Sequence, residues 1–223
     1  MRFKNIIFDF DGTLIDSRLG VVKAFKKVAK KLKDKEIAEQ EIVQLIGEPL
    51  AQIITILLNT DDENIIRKGQ VLFKKYYSKG GVYQNIVYPG IREMLESFKS
   101  QSRQLFVVSN KIELFMRKIL EQHNLKKYFT FILGTEGANT QSKKSDQVKY
   151  LLTHYKLKKQ ETVIVGDTEN DIIAAKKNFI YSIGVSWGYR SKLELVEAKA
   201  DKVCSNPLEL REFILENENR KTN

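Results

Sequence analysis

A single cysteine, Cys204, stands in 223 residues, so no disulfide can form within the chain, which fits a reducing compartment. Cys204 lies in an apolar-flanked segment with no histidine nearby and reads as a buried structural thiol. No apolar run approaches the ~20 residues needed to cross a bilayer. The first residues lead straight toward a strand without the layout of a signal peptide. These absences predict a cytoplasmic protein with no membrane partner. Internal repeats and low-complexity tracts are missing as well. What the chain has in excess is positive charge, +10 net, which suits phosphorylated metabolites, nucleic acid or an anionic surface. Its lysines, such as Lys23, Lys26, Lys27, Lys30 and Lys31, spread along helical faces. They do not interleave with aromatics as on a nucleic-acid platform. A solvated Lys-rich surface is the simpler account, and a basic nucleic-acid-binding protein is the alternative outside enzymes. With 42% hydrophobic residues, the chain can bury a sizeable core.

The rest is organised around Ile6-Ile7-Phe8-Asp9-Phe10-Asp11-Gly12-Thr13-Leu14-Ile15-Asp16. The apolar start reads as a strand buried on both faces. Side chains two apart share a side of a strand, so Asp9 and Asp11 lean into one volume at its end, and Gly12 permits a sharp turn. Two neighbouring acids repel unless a cation lies between them or one holds a proton. An isolated Asp-Gly is usually a plain turn, so the partners must come from elsewhere.

Between Asp16 and Asn85 no strand is evident. Apolar residues recur at three and four: Val21, Val22, Phe25, Val28, Ala29 and Leu32 mark a helix for which Ser17 is a suitable N-cap. A short helix over 40–46 ends at Gly47, Pro49 opens the next, and Asp61 or Asp62 caps a fourth. This block reads as an all-helical insert. Strands and helices then alternate. Leu105–Val108 is a strand followed by Ser109-Asn110-Lys111, with a helix over 113–122. A strand is expected over 129–133 and a polar loop over 134–142. Thr162–Val165 is a strand followed by Gly166-Asp167. A strand over 180–185 and an edge at Val203 follow, Pro207 opens the last helix, and a polar tail begins at Glu216. Strands separated by helices pair in parallel through right-handed crossovers. The expected fold is therefore α/β, a doubly wound, Rossmann-like parallel sheet with an inserted helical domain. Its ligand crevice lies beyond the carboxyl ends of the strands, where Asp9, Asp11, Ser109, Asn110 and Asp167 all fall.

Asp9, Asp11, Asp167 and Asp171 supply oxygen ligands of the kind Mg²⁺ takes. Asp167 and Asp171 are four apart at a helix start and can share a face. Taken alone, Gly166-Asp167-Thr168 and Ser109 would each read as an ordinary capped helix start, and Lys143 and Lys144 as solvated lysines. A phosphate monoester held at this edge needs a cation, hydrogen-bond donors and a lysine to offset its charge.

Asp9-Phe10-Asp11-Gly12-Thr13-Leu14 resembles the first signature of the haloacid-dehalogenase-like superfamily of phosphohydrolases. Val107-Val108-Ser109-Asn110 resembles its second, a lysine before a helix (Lys143 or Lys144) its third, and Gly166-Asp167-Thr168-Glu169-Asn170-Asp171 its fourth. Ser109-Asn110-Lys111 and Gly184-Val185-Ser186-Trp187-Gly188-Tyr189 are similar to the phosphoglycolate phosphatase-like group. The usual Lys-Pro of the third signature is replaced by Ser142-Lys143-Lys144-Ser145-Asp146, and Lys144 fits the variant pattern better. The resemblance implies Asp9 as nucleophile and Asp11 as general acid and base. It implies Ser109, Asn110 and Lys144 as phosphate-binding residues. Mg²⁺ would be held by Asp9, the main-chain carbonyl of Asp11, and Asp167, with Asp171 a further ligand or an orienting group. The core would comprise residues 1–15 and 88–223, and residues 16–87 would form a helical cap, with Gly47-Glu48-Pro49-Leu50 near the substrate. The implied activity is hydrolysis of small phosphate monoesters, phosphoglycolate first, in a monomer or homodimer. Within the superfamily a 5′-nucleotidase or a sugar phosphomutase is the alternative.

Overall fold

Alternate burial along three strands sets the frame. Ile6, Phe8, Leu105, Val107, Val163 and Val165 join one apolar cluster, while Ile7, Phe106, Val108 and Ile164 join another. A strand that alternates between two apolar sides must be covered on both. The computed structural model, which describes residues 3–135 and 143–216, shows this covering.

The chain runs β1 (Asn5–Phe8), β2 (Ile15–Asp16), α1 (Arg18–Lys33), α2 (Glu39–Val43), α3 (Leu50–Leu58), α4 (Glu63–Ser78) and β3 (Ile86–Val87). It continues α5 (Ile91–Ser100), β4 (Gln104–Ile112), α6 (Glu113–Gln122), β5 (Phe131–Thr135), α7 (Lys144–His154), β6 (Thr162–Gly166) and α8 (Glu169–Asn178). Last come β7 (Tyr181–Val185), α9 (Lys192–Glu197), β8 (Lys202–Cys204) and α10 (Pro207–Glu216). Among the described residues, six strands form a parallel sheet in the order β5-β4-β1-β6-β7-β8. Apolar residues of α5, α6 and α10 fill one face and those of α7 and α8 the other. This is the doubly wound α/β sheet, with β8 as an edge.

The strand order reverses at β1. From it the chain builds outward through β4 and β5, then returns to lay β6 on the opposite side. Beyond such a switch point two crossovers diverge and leave a crevice. Asp9 sits there, with β4 on one flank and β6 on the other.

Helices α1 to α4 form the insert, packed around Val21, Phe25, Ile54, Leu57, Phe73 and Tyr77. Asp62 caps α4, its carboxylate accepting from the Asn64 N–H at 2.8 Å. The chain passes between sheet and insert through a two-stranded antiparallel ribbon, Ile15 against Val87 and Asp16 against Ile86. Two residues per strand are too few to show a period, so the ribbon leaves no trace in the hydropathy pattern.

Three boundaries differ from expectation. Strand β4 continues past Val108 to Ile112, its pairing with β5 shifting register in between. Strand β5 begins at Phe131 and includes Gly134 and Thr135; the remainder of the expected 134–142 loop lies outside the described residues, as does the tail beyond Glu216. Helix α2 ends at Val43. Cys204 is a free, buried thiol, pushed up to about 12 by burial.

Candidate active site

Strand β1 delivers Asp9 to the carboxyl edge of the sheet with 1% of its surface exposed. The chain then turns through Phe10–Ile15, where the Leu14 and Ile15 N–H groups return to the Phe10 carbonyl. Gly12 makes the turn at φ +78°. A Cβ there would overlap the Asp167 carboxylate, so glycine is required both by the backbone angle and by what lies against it. Gly12→Ala is expected to lower the melting temperature modestly, by the equivalent of about 1–3 kcal/mol for the strained angle. It should cost at least about tenfold in turnover, since a displaced catalytic group is expensive; melting and steady-state rates on one preparation check both.

Strand β6 and the first turn of α8 bring Asp167 and Asp171, both buried. Oxygens of Asp9, Asp167 and Asp171 lie within 4.8 Å of one another. Lys144, in the first turn of α7 and equally buried, places Nζ 2.8 Å from Asp9 Oδ1 and 2.7 Å from Asp171 Oδ1. Its neighbour Lys143 is exposed. Burial lowers the Lys144 pKa, but the charges of Asp171 and Asp9 more than offset this and hold the ammonium above its usual range.

Three carboxylates and one ammonium do not balance. Burial pushes Asp167 well above the ordinary carboxylate range, and the nearby Asp9 charge adds to the shift. Asp171 is pushed up to about 6 by burial, with Lys144 opposing and Asp9 reinforcing the rise. Asp167 accepts from the Tyr189 N–H at 2.8 Å and the Thr13 hydroxyl at 3.3 Å. Asp171 Oδ2 accepts from the Thr168 N–H at 3.2 Å and its hydroxyl at 2.9 Å. Asp9 has no aligned hydrogen bond on either oxygen, and the Lys144 contact is an ion pair without hydrogen-bond alignment. A buried carboxylate left this way is costly. A divalent cation among hard oxygen donors is the partner that this donor set fits.

The Asp11 side chain faces away from that cluster. Its Oδ1 accepts from the Ser17 hydroxyl at 2.6 Å, and Lys111 Nζ lies 3.0 Å from both of its oxygens. Ser17, expected as the N-cap of α1, makes no capping bond; its hydroxyl donates to Asp11, and the first-turn N–H groups of Arg18 and Gly20 go to Asp16 Oδ1 and the Gln84 carbonyl. Ser109 is buried beside this pair, its Oγ accepting from the Lys111 N–H at 3.3 Å. The Asn110 side chain does not turn to the carboxylates. Its amide donates 2.8 Å to the Gly47 carbonyl of the insert. Asn170 likewise donates to Glu48 at 2.9 Å, and Arg190 reaches the Gln44 carbonyl. The insert thus lies closed on the core, pinned through residues 44–48.

Nothing in the sequence pattern points to a site role for Lys111 or Tyr189, and for Ser17 it points only to a helix cap. Lys111 is buried under the insert, with Nζ 4.8 Å from the centre of the Tyr77 ring. Tyr189 contributes a backbone donor, which no side-chain pattern announces.

The haloacid dehalogenase-like hydrolase family model matches residues 6–185. The chain belongs to the haloacid dehalogenase-like hydrolases. It is similar to the phosphoglycolate phosphatase of Vibrio parahaemolyticus, 31% identical over 95% of this chain and 96% of that protein. It is also similar to a 5′-nucleotidase of Pseudomonas aeruginosa, 28% identical over 96% of both chains. The crystal structure of a predicted phosphatase from Clostridium acetobutylicum superposes with a TM-score of 0.92 at 32% identity, covering 97% of this chain and all of that one. Within the family the chain sits in the phosphoglycolate-phosphatase-like group, among phosphoric monoester hydrolases.

Proposed function

We propose that this hydrolase is a Mg²⁺-dependent phosphatase of small-molecule phosphate monoesters that works through an aspartyl-phosphate on Asp9. Residues 16–87 serve as its cap, and residues 1–15 and 88–223 as its core. The observation that carries the reading is the buried Asp9 carboxylate without an aligned hydrogen bond, set between Lys144 and two further buried carboxylates.

Asp9, the Asp11 carbonyl and Asp167 would hold Mg²⁺, with Asp171 beside them, and the bound ion would offset charge on the phosphoryl oxygens. Ser109 and the backbone around Asn110 bind those oxygens together with Lys144, whose ion pair also orients Asp9. Asp9 attacks phosphorus, forming one P–O bond as the ester P–O bond breaks, and Asp11 gives a proton to the departing alcohol. Asp11 then takes a proton from water, whose oxygen attacks phosphorus and restores Asp9 as phosphate leaves. Ser17 and Lys111 fix the Asp11 side chain in position for this exchange.

Phosphate release from a panel of about a hundred metabolites, chosen for breadth, should appear with Mg²⁺ and vanish with a chelator. Phosphoglycolate and the 5′-nucleotides, the substrates named for its relatives, belong in that panel. Release that persists undiminished without metal, or no release at all, defeats the reading. A mutase would instead return the phosphoryl group to its sugar and require a bisphosphate activator.

Metal also bears on stability. Asp167→Asn removes a carboxylate that burial and Asp9 disfavour, so the metal-free protein should melt at least about 2–4 °C higher at pH 8, equivalent to about 1 kcal/mol. The same change should abolish the rise in melting temperature that Mg²⁺ gives the unaltered protein. Thermal melts with and without Mg²⁺ measure both.

A further inference from the structure

A cavity of about 50 Å³ lies between the insert and the sheet edge, lined by Asp11 and Ser109 and by Phe25 and Phe73 of the insert. Asp11 hands a proton to the leaving oxygen and Ser109 holds the phosphoryl group, so the adjoining space receives the alcohol half of the ester. Two polar side chains line that space. Lys111 is, among the described residues, the only cation of the cavity, and its side chain is 7% exposed. The Tyr77 hydroxyl is buried there without an aligned hydrogen bond. Lys111 Nζ lies 4.8 Å from the centre of the Tyr77 ring, so ammonium and phenol share one wall.

Resting on the phosphatase reading above, we propose that Lys111 selects the substrate by pairing with a carboxylate on its alcohol half. With the site empty, the ammonium lies 3.0 Å from both Asp11 oxygens. In the ester complex Asp11 carries the proton that it gives to the alcohol, and is neutral until it does so. Lys111 still touches the protonated acid and holds it in place, but its charge has lost its counterpart. Glu48, the other acid of the cavity, is engaged by Asn170 of α8. The ring faces of Tyr77 and Phe10, centred 4.8 and 5.9 Å from Nζ, ease the ammonium without neutralising it. A buried charge stripped of its partner is strongly unfavourable. A substrate that brings the missing negative charge removes that cost. A carboxylate on the carbon that bears the ester oxygen arrives at the right place. It lies two bonds from the oxygen that Asp11 protonates, and Lys111 stands beside that acid. Tyr77 gives it a second, neutral donor. The closed cavity has room for a few waters, which suits one small carboxylate rather than a second phosphate or a nucleoside. An alcohol half without the anion leaves Lys111 buried and unpaired, so its ester binds less tightly.

2-Phosphoglycolate and its amide, 2-phosphoglycolamide, test this directly. They have nearly the same shape, both release a primary alcohol, and they differ by one negative charge. The wild-type enzyme with Mg²⁺ should show kcat/KM at least about tenfold higher for phosphoglycolate, with most of the difference in KM. Equal values, a preference for the amide, or hydrolysis of neither while other esters of the panel are cleaved overturn the inference and leave the phosphatase reading intact. Hydrolysis of no ester at all overturns both. Lys111→Met should slow both esters, because Asp11 loses its anchor, and should bring their ratio to about one. A folded, active variant that keeps the wild-type ratio assigns Lys111 to positioning Asp11 alone and overturns the inference. If Lys111→Met fails to fold, Asp11→Asn decides, since its neutral side chain stands in for the protonated acid. With Mg²⁺ it should bind phosphoglycolate at least about tenfold more tightly than the amide by calorimetry; equal dissociation constants overturn the inference.

Discussion

Asp9→Asn will lose at least about a hundredfold in turnover on every ester the enzyme hydrolyses, near 3 kcal/mol of transition-state stabilisation, while melting no lower than the parent protein. The two halves of this expectation have one origin. Asp9 is 1% exposed and without an aligned hydrogen bond, within reach of two other buried carboxylates and one ammonium. An amide has nearly the same shape, so packing is preserved. It carries no charge, so repulsion with Asp167 and Asp171 falls, and Lys144 keeps Asp171 at 2.7 Å. The amide cannot attack phosphorus, and with it the covalent route closes. A phosphate-release assay and a melting curve on one preparation separate the outcomes. An active variant removes Asp9 as nucleophile. An inactive one that also melts well below the parent would assign Asp9 to the scaffold.

The sheet was legible because its strands are short apolar runs bounded by turn residues. Helix α6 was legible to the residue, since Phe115, Ile119 and Leu120 recur at helical spacing between a strand end and Gln122. The positions of the carboxylates followed from the rule that polar groups gather at the carboxyl ends of parallel strands. What stayed hidden depends on partners far away in sequence. Lys111 has no role of its own in the sequence until Asp11, a hundred residues earlier, is placed against it. Ser17 reads as a helix cap because its local context is that of a cap; only the fold shows the Asp11 carboxylate that its hydroxyl meets and the Asp16 and Gln84 oxygens that take N–H groups of the first turn. Asn110 reads as a phosphate group's neighbour, yet its side chain holds the Gly47 carbonyl, a bond that exists only when the insert is closed. The extension of β4 through Ser109, Asn110 and Lys111 is invisible for a related reason: polar residues at the end of a strand carry no period, and pairing with β5 lapses after Val108 and resumes only at Ile112.

Lys144→Met should be the most destabilising single change in the site, and its cost should grow with pH. Methionine fills much the same volume, so the loss is chiefly one of charge. Lys144 is the ammonium that Asp9 and Asp171 share in a place with almost no water. Removing one partner from a buried ionic group typically costs about 3–5 kcal/mol, or about 6–20 °C in melting temperature for a chain of this size. The pH dependence follows from the direction of the shifts. A carboxylate whose pKa is higher folded than unfolded binds more protons in the folded state, so stability falls as pH rises from the unfolded value through the folded one. Asp171 already stands at about 6 against an ordinary 3.8, and Lys144 is what opposes a further rise. Without that ammonium the window of falling stability extends upward. At pH 4 both proteins fold with Asp171 largely protonated and should differ least; near pH 8 the gap should be widest, and millimolar Mg²⁺ should narrow it by supplying the missing positive charge. Melting temperatures of both proteins from pH 4 to 8, with and without Mg²⁺, decide the matter. A gap that stays constant with pH would mean that Lys144 contributes packing rather than charge, and the ionic account of the cluster would have to be abandoned.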